Sequence, residues 1–161
     1  MEKILCPTRG GEESYPNQDK AIEIASERGC ELLFLYVSNV NFLLNLRTPM
    51  MVKNIQEDLD DMGEFLLTMA QERAEKNNTR AQICLKHGVF HQALTEVIKE
   101  EHVHTLFLGS SGEDKGLTTE GYMSGLVDKL RSEFEDLEII IARDGKIIRH
   151  VGGEKSDAQP E

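Results

Sequence analysis

A chain of 161 residues has the length of one domain with a single sizeable core, and 39% hydrophobic with 29% charged residues is a globular composition. The formal charge of -11 opposes a phosphate backbone, which binds proteins largely through Lys and Arg that displace counterions, so no nucleic-acid partner is expected. No apolar run long enough to span a bilayer and no charged-then-apolar leader is seen, so no membrane partner and a cytoplasmic location are expected.

Lys3 to Cys6 is a short apolar run stopped by Pro7, which lacks an amide hydrogen, and reads as a first strand. A glycine-bearing loop, Arg9-Gly10-Gly11-Glu12-Glu13, follows. From Asn17 to Arg28, Ala21, Ile22 and Ala25 share a helical face, and Gly29 closes that helix. Glu31 to Val37 is nearly continuously apolar, as a central parallel strand covered on both faces requires. Residues 39–51 have no clean period and read as an irregular connection. Ile55, Leu59, Met62, Leu66 and Met69 then recur at alternating spacings of four and three, which predicts a second helix from about Val52 to Lys76 with this stripe buried.

Gln82 to Lys86 reads as a third strand ending near Gly88, and Ala93, Leu94, Val97 and Ile98 mark a third helix. His104 to Leu108 is the fourth strand and breaks into Gly109-Ser110-Ser111-Gly112. Met123, Leu126, Val127 and Leu130 give a fourth helical face, and Leu137 to Ala142 a fifth strand. This alternation predicts an α/β fold: an open five-stranded, mostly parallel sheet with helices on both faces. Asp144-Gly145 between β-branched runs is a two-residue hairpin signal, so Lys146 to Val151 should add an antiparallel strand. One domain is expected over 1–151, with a polar, mobile tail over 152–161.

In open parallel sheets ligands bind outside the carboxyl ends of the strands, where neighbouring crossovers diverge. The loops after strands one and four, Pro7-Thr8-Arg9-Gly10-Gly11 and Gly109-Ser110-Ser111-Gly112, are therefore the candidate site. Glycines let phosphate oxygens approach backbone amides there. Cys6, Cys30 and Cys84 stand far apart in apolar runs and read as buried free thiols. His87 and His91 have metal-ligand spacing, but Gly88 separates them into a strand end and a helix start, so they read as a solvated pair with no metal. Glu57, Asp58, Asp60 and Asp61 read as a solvated acidic face.

The order of elements and these motifs resemble the universal stress protein family, of adenine nucleotide alpha hydrolase-like fold, over roughly residues 1 to 142. The resemblance rests on Ile4-Leu5-Cys6-Pro7-Thr8, Leu35-Tyr36-Val37, Gly88 and Leu106-Phe107-Leu108-Gly109-Ser110-Ser111-Gly112. It implies a site for ATP or another adenine nucleotide built from Pro7, Thr8, Arg9, Val37, Leu108, Gly109, Gly112, Gly121, Tyr122, Met123 and Ser124. Nucleotide-binding members carry an Asp after Pro-Thr, a Gly-x-x-Gly after strand four, and a Gly-Ser or Gly-Thr nine residues on. Here Arg9 stands in the Asp position, eight residues separate Gly112 from Gly121, and Tyr122 follows Gly121.

The resemblance also implies a homodimer through the fifth strand. The C-terminal hairpin would either cover that strand within its own subunit or reach across to the partner, the latter being favoured. Three functions stay open: a stress-response or regulatory interaction module with a degenerate nucleotide pocket, an adenine nucleotide sensor, and a slow nucleotide hydrolase with Glu113 and Asp114 as its candidate acids.

Overall fold

The structure, a computed structural model, describes residues 2–40, 43, 45, 47–110 and 120–153, with Glu120 by its backbone alone. The elements are β1 (Lys3–Pro7), α1 (Tyr15–Arg28), β2 (Glu31–Ser38), α2 (Pro49–Lys76), β3 (Ala81–His87), α3 (Phe90–Glu101), β4 (Thr105–Ser110), α4 (Glu120–Glu133), β5 (Glu138–Arg143) and β6 (Lys146–Val151). The sheet order is β3-β2-β1-β4-β5-β6. All neighbours are parallel except β5 and β6. The expected α/β sheet and its antiparallel addition are both present.

Strand pleating explains why the strand sequences are apolar throughout. Alternate residues Ile4, Cys6, Leu32, Phe34, Phe107 and Ile140 face α1 and α2, forming one core. Their neighbours Leu5, Leu33, Leu35, Leu106, Leu108, Ile139 and Ile141 face α3 and α4, forming the other. Both faces are thus covered, as a parallel sheet demands. The expected buried faces of α1, α3 and α4 are all buried.

Helix α2 departs from expectation in its start and its rotation. Thr48 caps it by accepting the Met51 amide at 3.2 Å, and Pro49 occupies the first turn, so it begins three residues before Val52. Its buried row is Val52, Gly63, Leu67, Ala70 and Ala74. The expected stripe lies about a quarter-turn away on the cylinder. Ile55, Leu59, Leu66 and Met69 are only partly covered, and Met62 is exposed. The reason is close approach. A Cβ on Gly63 would come within 2.6 Å of the Tyr36 ring, so small residues set the contact with β2 and larger ones are turned outward.

The hairpin forms as expected. Asp144 and Gly145 both take positive φ, 53° and 82°, the geometry of a two-residue turn whose twist matches its strands. β6 pairs with β5 of its own chain, from Arg143 opposite Lys146 to Ile139 opposite Val151, with a bulge between Ile141 and Ala142. The favoured reach across to a second subunit is therefore corrected: β6 covers the β5 edge from within. Gly152 and Gly153 lie partly covered against Arg131 and Glu138, and the rest of the expected tail lies outside the described residues.

Candidate functional site at the β1–β4 switch point

Strands β1 and β4 are parallel neighbours in register at Leu5 and Leu106, and their onward crossovers leave in opposite directions across the sheet. Their pairing ends at that pair; Thr8 follows the end of β1 and Gly109 lies near the end of β4, both at the carboxyl end of the sheet. Open parallel sheets take their ligands at such a point. Pro7 is half-buried and paired to Leu35, the Thr8 amide donates to the Leu35 carbonyl at 2.8 Å, and Arg9 is exposed.

The Thr8 hydroxyl organises the loop. Its Oγ1 accepts the Gly10 amide at 3.1 Å and Gln18 Nε2 at 2.9 Å. Gly10, with φ of 75°, sits under Leu66 of α2, so closely that a Cβ there would come within 2.6 Å of that side chain. Gln18 is buried, and its Oε1 has no hydrogen-bond partner among the described residues.

Over Gly109 lies Asn17. A Cβ on Gly109 would come within 2.8 Å of Asn17 Nδ2, while Asn17 Oδ1 accepts the Gly145 amide at 2.9 Å. The hairpin tip is thereby tied to the start of α1 at the rim of the switch point. Sequence reasoning missed Asn17 and Gln18, and read Gly145 as a hairpin turn without its tie to the site. Asn17 and Gln18 read as ordinary polar positions of a helix N-terminus, and the hairpin lies 128 residues away in the chain.

The other expected site residues divide by face. Leu108 and Met123 are buried, and Val37 and Tyr122 half-buried, all within the core shared with α3 and α4. Burial pushes the Tyr122 phenol up. Gly121 is exposed, and Ser124 points to β6, where its hydroxyl lies 3.5 Å from Arg149 Nη1. Gly112, Ser111, Glu113 and Asp114 lie outside the described residues. Pro7, Thr8 and Arg9 thus lie at or just past the end of β1 and Gly109 near the end of the neighbouring β4, whereas the side chains of Leu108 and Met123 belong to the core.

The remaining reactive side chains are accounted for structurally. Cys6 is buried and its thiol is pushed up to about 12 by desolvation, which removes it as a nucleophile at neutral pH. Cys30 is buried, but Cys84 is only half-buried, contrary to expectation. His87 is exposed and His91 partly covered, and each meets a carboxylate at the surface rather than the other histidine. His87 Nε2 lies 2.8 Å from Asp60 on α2, and His91 Nε2 lies 3.2 Å from Glu133 on α4, in opposite layers. Of the expected solvated acidic face, Glu57, Asp58 and Asp61 are exposed, while Asp60 is partly covered and engaged by His87. No group of three or more His, Cys, Asp and Glu among the described residues has metal-binding geometry. No described helix is long and apolar enough to cross a membrane.

Against known families, the universal stress protein family matches residues 1–125. The chain belongs to the universal stress protein family. No curated protein sequence matches it. A universal stress protein from Burkholderia pseudomallei superposes with a TM-score of 0.68 at 16% identity, covering 88% of this chain and 95% of that one. Universal stress protein UspA from Lactobacillus plantarum gives 0.68 at 17%, covering 88% and 97%. A family member from Arabidopsis thaliana with AMP bound gives 0.54 at 13%, covering 89% and 92%. At these identities the likeness is one of fold.

Proposed function

We propose that this universal stress protein is a dimeric stress-response or regulatory interaction module whose nucleotide pocket is degenerate. The observation that carries this is Asn17 above Gly109, pinned by the Gly145 amide. That space is where a phosphate oxygen would approach the β4 backbone, and a side chain of the chain itself fills it. Arg9 adds to this, because a guanidinium has no acceptor to offer a ribose hydroxyl or an adenine amine. Tyr122 adds again, since a half-buried ring follows Gly121 in place of a small hydroxyl.

An adenine nucleotide sensor is the second reading, favoured by one atom. Gln18 Oε1, a buried acceptor without a partner among the described residues, lies on the side chain that donates to Thr8 and is the group nearest in kind to the replaced Asp. The AMP held by the Arabidopsis relative belongs with this reading. In either case the dimer forms at the β6 end of the sheet, because β5 is already covered.

The test is calorimetric titration of ATP into Arg9→Asp, Tyr122→Ser and the double variant. The double variant is expected to bind about ten- to a hundredfold more tightly than the wild type, the worth of a restored charged acceptor. Tighter binding by the wild type than by Arg9→Asp would instead make Arg9 a phosphate ligand and this protein a sensor.

A further inference from the structure

Helix α2 presents to solvent a face that the other described residues leave largely uncovered. Met50 is 68% exposed, Met51 46%, Met62 53% and Phe65 64%, on a helix about 42 Å long whose opposite side is locked into the core by Leu67, Ala70 and Ala74. Met51, Ile55, Asp58, Met62, Phe65 and Met69 follow one another at alternating spacings of four and three. That is the spacing of a coiled-coil seam, with a carboxylate in place of one apolar knob. Solvated helix faces do not carry such a row, and exposed methionines adapt their shape to a partner.

The charges say what kind of partner fits. From Asn54 to Glu72 the helix carries Glu57, Asp58, Asp60, Asp61, Glu64 and Glu72 and no Lys or Arg. Asp60 is paired within the chain with His87 and Gln56, whereas Glu57, Asp58, Asp61, Glu64 and Glu72 are exposed. A second copy of α2 would bring the two acidic rims together, and an anionic membrane surface would be repelled. A helix with basic flanks is attracted, and a Lys or Arg facing Asp58 neutralises the charge buried in the seam.

We infer that this face of α2 docks a basic amphipathic helix of another protein, with apolar residues at heptad spacing and a Lys or Arg set against Asp58. Phe65 and Met62 are its apolar anchors, and Asp58 fixes the register, as a single polar seam position does in paired helices. The surface lies on the outer side of α2 and operates whether or not the switch point takes a nucleotide.

The probe is a synthetic peptide of about three heptads, with Leu at the seam, Lys on both flanks and one Lys at the central seam position. Its affinity is read by fluorescence anisotropy at about 0.15 M salt. Changing the central Lys to Glu is expected to weaken binding about tenfold or more, and Asp58→Lys in the protein to reverse that preference. Met62→Ala with Phe65→Ala should weaken both peptides about tenfold while leaving the thermal melt in place, since neither side chain is in the core. Three results would overturn the inference. One is equal binding of a scrambled peptide of the same composition. Another is an effect of Asp58→Lys no larger than that of Glu23→Lys on α1. The third is a dimer of the protein itself that the Met62 and Phe65 changes dissolve, which would give the face to a second copy.

Discussion

Glu138 enters β5 with its carboxylate inside the fold and held from three directions. Arg28 donates to it twice, at 2.6 and 3.0 Å, Thr105 Oγ1 donates at 2.8 Å, and His150 of β6 closes the third side. Burial by itself raises such a carboxyl. The Arg28 and Thr105 hydrogen bonds, the Arg28 charge and the His150 contact outweigh it and hold Glu138 at about 2 against an ordinary 4.5. A depressed folded value means stability that is whole above 4.5 and is lost as pH falls through 2. The partners Arg28 and His150 are partly open to solvent, which screens the interaction, so the contribution is less than the full shift, about 1–2 kcal/mol. Urea melts of Glu138→Gln should show about that loss at pH 7 and a flatter acid limb than the wild type. Parallel curves for the two proteins between pH 5 and 2, where this contribution is lost, would contradict the account.

At this scale the sequence is a partial guide. Gly145 and Gly29 are legible because each backbone position needs a positive φ, 82° and 67°, that glycine adopts without strain. Asn17, Gln18 and the partners of Glu138 are not, because each acts through a contact made only after the sheet has assembled.

Among elements, α2 is where periodicity was informative about type and misleading about orientation. Its apolar stripe marks a helix, but the row that packs is built from Gly63, Ala70 and Ala74 around Leu67. Small residues carry little hydrophobic signal and much steric consequence, so the close face is hidden in the sequence and the exposed one is conspicuous. Leu67→Ala should therefore cost about 2–5 kcal/mol, the range for a fully buried leucine. Met62→Ala should stay within about 0.5 kcal/mol, as surface changes do. Chemical denaturation of the two variants decides: a larger loss for Met62 would restore the orientation expected from the stripe. The strands raise no such difficulty, because a continuously apolar run fits a two-sided parallel strand whichever way the pleat falls.

For the whole molecule, the hairpin changes how copies can meet. β6 occupies the β5 edge and leaves Ile147 and Ile148 exposed, at 44% and 48%, on the new end of the sheet. A dimer joined there should scatter light as twice 18.2 kDa, and Ile147→Lys with Ile148→Lys should halve that mass, since lysines on an edge strand discourage pairing. An unchanged mass would place the contact elsewhere. The order of strands and helices and the position of the switch point were legible because alternation, crossover handedness and strand-end geometry act on the chain as a whole. The contact between hairpin tip and α1 was not, because no local pattern encodes it.

Direct titration of ATP into the unmodified protein, with and without magnesium, tests whether the pocket is degenerate more plainly than any variant. With Asn17 over Gly109 and Arg9 in place of an acceptor, the expected result is binding no tighter than about 1 mM, or none. Saturable binding at about 1 μM or below would contradict the account and show that Asn17 yields its place to a nucleotide.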